Sequence, residues 1–414
     1  MYPIETEKVY VMKRVYAHDK ARARLEKMLG AIKHDEVIEL TTKDLNRLVR
    51  ENRWTQDSNL RTGNYEREGP PTLIFSTFQW KPWKLKLLKL RYPFLASGLF
   101  LGQNAFTYRN ETNHGLDRCV CQGAHEIHSI YGCLHACSYC HVKDFANIML
   151  NLEDVIDRLP SLFQKNPTQK LFKYDNYTDQ PCFEPEYGAS KLFVEFFAQQ
   201  PDKYLLLYTK SDNVDHLLDL QHNDHTFINW SISTQRQSKF IEKETPLPTQ
   251  RIKAMEKCEK AGYRVRIRFS PIIPLKNWRE ESAAMIEAVL SKVHPDIITM
   301  DVIGFMHPKI LLEIIDSEHF DPETEVLLNG LATKKTIWRK LIFPDEFRLE
   351  IYKHYIQEIR KWNQTARISI CNDNRALWSR LKSEIQMTPE NFVCCCGPTS
   401  VSAHPLLNTE KRKT

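Results

Sequence analysis

Long apolar runs are missing from this 414-residue chain. No stretch approaches the ~20 consecutive apolar residues of a membrane-spanning helix. The opening residues, Met-Tyr-Pro-Ile-Glu-Thr-Glu-Lys, have no signal-peptide apolar core. Internal repeats and long low-complexity segments are absent too, which excludes solenoids and disordered arrays. Charge of one sign is scarce: the net value is only +6. An acidic partner is therefore permitted but not demanded. Hydrophobic residues make up 42%, enough for a sizeable core.

Cysteine is what is present, with 11 residues. An odd trio lies in Tyr131-Gly-Cys-Leu-His-Ala-Cys-Ser-Tyr-Cys-His141, a CxxxCxxC loop. A disulfide framework fits such a trio poorly in so long a chain. Zinc normally takes four ligands, with His135 or His141 available as the fourth. Iron–sulfur clusters usually carry four thiolates, so Cys133, Cys137 and Cys140 on a [4Fe–4S] cluster leave one iron open. An open iron can bind and reduce S-adenosylmethionine, the cofactor pair of radical chemistry. That is the favoured reading. Such a cluster and mostly unpaired cysteines suit a reducing, cytoplasmic setting.

Periodicity sets the expected architecture. Residues 7–55 read as strand, helix, strand, helix, with Thr41 capping the second helix. Residues 56–70 read as a loop and 408–414 as a mobile tail. From residue 124, strands alternate with helices. Strands are expected at 126–130, 171–176, 204–209, 227–233, 265–269 and 297–303. Helices are expected at 152–163, 189–198, 213–220, 250–261 and 281–293. This rhythm predicts βαβ units and a parallel sheet. The fold class is α/β: a partial (β/α)6 TIM-like barrel with an N-terminal α/β segment and a C-terminal helical extension. The boundaries are expected at 1–115, 116–340 and 341–414, the last holding a helix over 345–362 and a strand over 367–371. Barrels present reactive groups after their strands, and the cysteine loop follows the first one.

Several stretches carry a resemblance to spore photoproduct lyase and its relatives in the radical S-adenosylmethionine superfamily. Beside the cysteine loop they are Val9–Tyr16, Asn151-Leu-Glu-Asp154, Tyr208–Asp219, Trp230-Ser-Ile-Ser233, Arg251-Ile, Lys260–Tyr263 and Ser270-Pro-Ile272. The resemblance implies that Cys133, Cys137 and Cys140 ligate the cluster and that Tyr139 lies against the adenine. It implies that Lys210 pairs with the methionyl carboxylate, and that Thr178 and Ser231 line the cofactor pocket. Electrons would come from a ferredoxin or flavodoxin. Two departures stand out. Asn176 occupies the position of the family's hydrogen-donating cysteine, and His141 follows the last cluster cysteine where the family has tyrosine. An amide is no useful hydrogen-atom donor. Cys182, slightly downstream, is the substitute to consider.

The substrate side rests on charge. In Arg264-Val-Arg-Ile-Arg-Phe269 the period of two puts Val265, Ile267 and Phe269 under the helices and the three arginines toward the lumen. Arg268 is placed to clamp a carboxylate or phosphate, or to pair internally with Asp175 or Asp301. The stretch Trp80–Tyr92 interleaves lysine, tryptophan and leucine. The leading expectation is an amphipathic element whose lysines snorkel over a buried stripe. A phosphate-tracking surface and an anionic membrane surface are the alternatives. Nucleic acid and an anionic small molecule or peptide are both open as substrates. A non-catalytic, metal-stabilised binding protein is the remaining reading.

Five further cysteines fall in Cys119-Val-Cys121 and Cys394-Cys395-Cys396. Adjacent thiols rarely all ligate one metal, because neighbouring side chains diverge. A second cluster or zinc, a tail thiol reaching the active site, and a buried cysteine-rich turn all remain open. Cys258 and Cys371 are expected in the core.

Overall fold

A computed structural model of the chain describes residues 1–54, 69–96, 99–109, 119–142, 144–333 and 341–407. The loop expected at 56–70 lies almost wholly outside these residues, and the expected tail at 408–414 entirely so.

The larger of two main sheets has eight strands among the described residues. Its parallel strands are Ala124–Ile127, Leu171–Tyr174, Tyr204–Thr209, Thr226–Ile232, Arg264–Ile272, Ile297–Val302 and Arg367–Ile370. Phe106–Arg109 adds an antiparallel edge. The sheet is an open, partial barrel, as the strand–helix rhythm required. The final parallel strand corrects the expected layout. Arg367–Ile370 pairs with Ile297–Met300, so it extends the barrel sheet from six parallel strands to seven. The long helix Asp345–Trp362 is then a crossover rather than part of an appendage.

Alternation decides what fills the barrel. Val265, Ile267 and Phe269 belong to the large core under the helices. On the opposite face, Leu171, Leu206 and Phe227 pack against Val401. The tail residues around Val401 thus plug the lower lumen. The Pro398 carbonyl accepts hydrogen bonds from the Lys170 and Leu171 amides. Arg266, fully buried, pairs with Asp296 and donates to the Cys395 and Ser400 carbonyls, so it staples the plug to the sheet. Of the three alternating arginines, Arg264 is the exception. It lies at the strand's start and holds Asp224 in a partly exposed pair.

The second sheet has the order Ile32–Leu40, Ile4–Met12, Thr72–Ser76, Phe145–Met149, Ile130–Tyr131. Its last two strands flank the cysteine loop, so the expected 1–115 segment extends its sheet to chain on either side of that loop. Gly132 opens the loop at φ +121°, where an added Cβ would lie 1.9 Å from the Phe145 carbonyl oxygen. Only glycine fits there.

Two helix expectations change. Residues 152–163 form two short helices, Glu153–Ile156 and Leu159–Lys165, with Pro160 in the first turn of the second. Residues 213–220 hold only a short 3-10 turn, Asp215–Leu217. There Asn213 donates to the Pro181 and Glu184 carbonyls, and polar side chains that bond elsewhere compete with a helical ladder. Helices Ala189–Ala198, Pro248–Lys260 and Trp278–Leu290 fall where expected. Gly262 follows the second of these at φ +89°.

Candidate active site

A cavity of about 310 Å³ opens at the carboxyl ends of the barrel strands. The cysteine loop forms one wall. Cys133, Cys137, Tyr139, Cys140 and His141 all face it. The loop is pinned twice. Ile130–Tyr131 and Phe145–Met149 pair across its base, and Ala136–Cys137 pairs with Glu242–Lys243 beyond the fourth parallel strand.

Behind the loop, Glu242 is a completely buried carboxylate. It accepts hydrogen bonds from the Tyr139 hydroxyl at 2.7 Å, the Ser233 hydroxyl at 2.9 Å and Arg251 at 2.7 Å. The Lys210 ammonium lies 3.5 Å away. Burial alone would raise the Glu242 carboxyl. Lys210 and Arg251 outweigh it and hold the group well below the usual carboxylate range. Glu242 therefore fixes Tyr139 and tethers Lys210 in the cavity. Asp179 is a second buried carboxylate behind the loop, two strands earlier. It accepts from the Thr209 hydroxyl at 2.6 Å and the Lys210 amide at 2.6 Å, and His135 Nε2 lies 3.1 Å away. Burial acts to raise this carboxyl also, but the His135 and Thr209 contacts keep it low.

The resemblance-derived residues converge. Thr178, Lys210 and Ser231 share the cavity with the three cysteines and Tyr139. Asn176, His141 and Arg268 line it too. Cys182 does not. It is fully buried, with Sγ 3.5 Å from His135 Nε2, and it backs the loop instead of reaching the cavity. The substitute role considered for it is corrected on that ground. Arg268 takes the internal pair with Asp301 at 2.6 Å, donates to the Tyr208 hydroxyl, and sits 3.3 Å from Cys371 Sγ.

The far wall was not legible. Glu126 accepts from Lys173 at 2.6 Å and Arg109 at 2.9 Å, all three buried or nearly so. Cys121, Cys371 and Cys396 face the cavity beside these cations. Cys371 is thus a cavity residue, against the core expectation, because it directly follows the last barrel strand. Cys258 is in the core as expected. No spacing rule marked Glu242, Asp179, Glu126 or Lys173. The alternation of Leu171-Phe-Lys-Tyr174 was the one available signal, since it turns Lys173 inward with Leu171.

The three-cysteine loop and the lining fit the cofactors that the sequence implied. Thiolates are the ligands of iron–sulfur clusters. Asn176 Oδ1, Thr178 Oγ1 and Arg268 Nε are buried on this cavity without a hydrogen-bond partner, as donors and acceptors awaiting a polar ligand would be. Burial pushes the Cys133 thiol up and the Cys137 thiol to about 12. These thiols become thiolates only with a cation to hold them.

A second surface lies apart from the cavity. The helix Pro82–Arg91 contains no buried residue. Trp83, Leu87 and Leu90 are 66%, 58% and 75% exposed, and their spacing puts them on one face. Leu85 and Leu88 are the half-buried ones. The expected burial of an apolar stripe therefore holds only in part: Leu85 and Leu88 pack against the core, while the helix's other apolar groups and its basic ones face solvent together. No helix among the described residues is long and apolar enough to cross a membrane.

The fold and the cavity define a radical S-adenosylmethionine scaffold. The family model of spore photoproduct lyase matches residues 121–371, and the chain belongs to that family. A spore photoproduct lyase of Clostridium acetobutylicum is 24% identical over 216 residues, half of this chain and 64% of the relative. One of Bacillus subtilis is 26% identical over 208 residues, 48% of this chain and 60% of the relative. The chain thus spans somewhat under two thirds of the length of these relatives. A solved spore photoproduct lyase mutant with bound AdoMet and dinucleoside spore photoproduct superposes with a TM-score of 0.61. It is 16% identical, and the match covers 89% of this chain and 98% of that one. A lyase complexed with dinucleoside spore photoproduct gives 0.60 at the same identity.

Proposed function

We propose that the protein is a radical S-adenosylmethionine enzyme, lyase-like in scaffold, that abstracts hydrogen from a nucleobase or nucleic-acid substrate. The observation that carries this reading is the shared cavity. Three thiols from one loop and the lysine, serine and threonine implied for the cofactor all open onto it. Bound there by Cys133, Cys137 and Cys140, a [4Fe–4S] cluster with S-adenosylmethionine would supply one-electron radical chemistry.

The chain's own residues do the rest. Cys133, Cys137 and Cys140 hold the metal side. Tyr139, held by Glu242, would lie against the adenine. Lys210 supplies a point charge for the methionyl carboxylate, with Glu242 and the Asp179 contact to its amide fixing its approach. Ser231 and Thr178 offer hydroxyls along the pocket. Arg268 is paired with Asp301, while Lys173 and Arg109 share the one carboxylate of Glu126 and so leave a single net positive charge at the substrate end for a phosphate or carboxylate. Electrons come from a ferredoxin or flavodoxin.

Relatives whose solved structures carry a dinucleoside spore photoproduct support a nucleic-acid substrate, as does the basic, aromatic face of Pro82–Arg91. The departures limit it. Asn176 and His141 face the cavity where the family has cysteine and tyrosine, so dimer repair by the family's own hydrogen-return route is not what these residues are built for. The second reading, an anionic small molecule or peptide, draws on the same cationic cavity and makes no use of the exposed helix. Anaerobic incubation with reductant and S-adenosylmethionine tests the radical step. Wild type is expected to release 5′-deoxyadenosine and Cys140→Ala to release none. Equal, trace-level release by both overturns the reading. DNA and RNA binding measured against salt then separates the two substrate classes, since phosphate contacts give a steep dependence.

A further inference from the structure

The cavity has a second set of thiols, opposite the cysteine loop, which the proposed chemistry leaves unused. They come from three separate parts of the chain. Cys121 precedes the first barrel strand, Cys371 follows the last, and Cys394 and Cys396 belong to the tail that plugs the lumen. Cys121, Cys371 and Cys396 line the cavity. Cys394 is in hydrogen-bond contact with Cys396, and both Cys371 and Cys121 lie within electrostatic reach of it.

The tail geometry selects two thiols from three. Cys394 to Gly397 form a turn closed by the Gly397 amide on the Cys394 carbonyl, which leaves the Cys394 and Cys396 thiols in contact and turns the one between them away. Cys395 is that one: its thiol reaches the Ile267 and Ile297 carbonyls, and its amide donates to Thr299. The five-cysteine grouping read from the sequence is thereby redrawn. Cys395 leaves it and Cys371 joins it. Cys119 does not line the cavity; its backbone bridges to Asn374.

We propose that Cys121, Cys371, Cys394 and Cys396 hold a second, fully cysteine-ligated iron–sulfur cluster that forms the far wall of the substrate cavity. Four thiols are the complete ligand set of such a cluster. Fold elements far apart in sequence bring them together. Cations surround them to offset the charge of a thiolate-bound cluster: Arg109 lies 3.4 Å from Cys396 Sγ and Arg268 lies 3.3 Å from Cys371 Sγ. A single zinc fits less well. Zinc–sulfur bonds of about 2.3 Å hold tetrahedral thiolates roughly 3.8 Å apart. Among the described residues, no three of these thiols lie within 4.8 Å of one another, and the same is true of Cys133, Cys137 and Cys140. Cys394 and Cys396 touch as a pair, but neither set converges on one point as a single zinc requires.

The test reconstitutes the full chain anaerobically with ferrous iron and sulfide and counts both per chain. Wild type is expected to hold about eight irons, two clusters of about four each. Cys133→Ser/Cys137→Ser/Cys140→Ser is expected to keep about four, with an electron paramagnetic resonance signal indifferent to S-adenosylmethionine. Cys371→Ser/Cys396→Ser is expected to keep the other four, with a signal that shifts on adding S-adenosylmethionine. Circular dichroism of both variants monitors folding, and the three-serine variant decides alone if the other fails to fold. A folded three-serine variant that retains no iron, or that takes up one zinc in place of iron, overturns the proposal. That result leaves the cysteine-loop cluster untouched, while loss of iron only from the cysteine loop would count against the proposed function instead.

Discussion

Glu126 shows how a single buried charge holds the site together. Its carboxylate is shared by Lys173 and Arg109, and removing one partner of a buried pair leaves the others uncompensated. Glu126→Gln is expected to cost about 3–5 kcal/mol, read as a lower thermal midpoint at neutral pH. Burial alone would raise this carboxyl, but Lys173 and Arg109 hold it below the ordinary 4.5. The folded protein therefore binds fewer protons than the unfolded chain. The stabilisation is complete above about 4.5 and is lost as pH falls through the lower folded value. The gap between wild type and Glu126→Gln should accordingly narrow below pH ~4.5. A gap constant with pH would contradict the assignment. At this scale the cysteine motif was fully legible, because its chemistry depends on spacing within eight residues. Glu242, Asp179 and Glu126 were not. Their partners lie at no fixed spacing, nine residues from Glu242 for Ser233 and Arg251 and about a hundred for Tyr139, and nothing local distinguishes these groups from solvated carboxylates.

Two elements carry tests of their own. The loop that presents the cysteines turns at Gly132, whose missing Cβ lets the Phe145 carbonyl approach. Gly132→Ala is expected to destabilise by about 2–4 kcal/mol through backbone strain and overpacking, seen in chemical denaturation, and to lower iron uptake in reconstitution. The helix Pro82–Arg91 makes the opposite kind of prediction. Lys84→Glu/Lys86→Glu/Lys89→Glu should weaken nucleic-acid binding and reduce the salt slope by about one per lost phosphate contact. Release of 5′-deoxyadenosine should be unchanged. An unaltered salt slope would remove this helix from the interface. Its composition was plain in the sequence. Its exposure was not, since whether an apolar stripe is covered depends on what the rest of the fold places over it. Strands were read more reliably than helices for a related reason. Tyr204–Thr209 is apolar on both faces and has one way to be buried, whereas the polar segment after Ser211 had side-chain partners competing for its backbone.

The whole molecule is tied together at its two ends. The second sheet incorporates the strands flanking the cysteine loop, and the tail fills the barrel from below. Truncation after Phe392 removes the Cys395 and Ser400 carbonyl acceptors of Arg266, leaving it Asp296 alone, and removes the packing of Val401. Losing these contacts of a buried arginine together with the plug's packing costs about 3 kcal/mol or more, a drop of at least roughly 3 °C in the thermal midpoint of a chain this long. A tail that can be cut without such a drop would not be a plug. The sequence rhythm announced the barrel and a strand at 367–371, but not that this strand joins the barrel sheet, nor the returning tail. Both depend on pairing across long separations, with Arg367–Ile370 meeting a strand some 70 residues earlier. Asn176 and His141, which the sequence reading set apart from the family pattern, both face the cavity.

Everything rests on whether this cavity makes a radical. The most direct measurement is 5′-deoxyadenosine released after anaerobic reconstitution, reduction and addition of S-adenosylmethionine, for wild type beside Cys140→Ala. The account predicts release that grows with time in wild type and none above background in the variant. Release independent of Cys140, or none from a wild type shown to hold its iron, would contradict it.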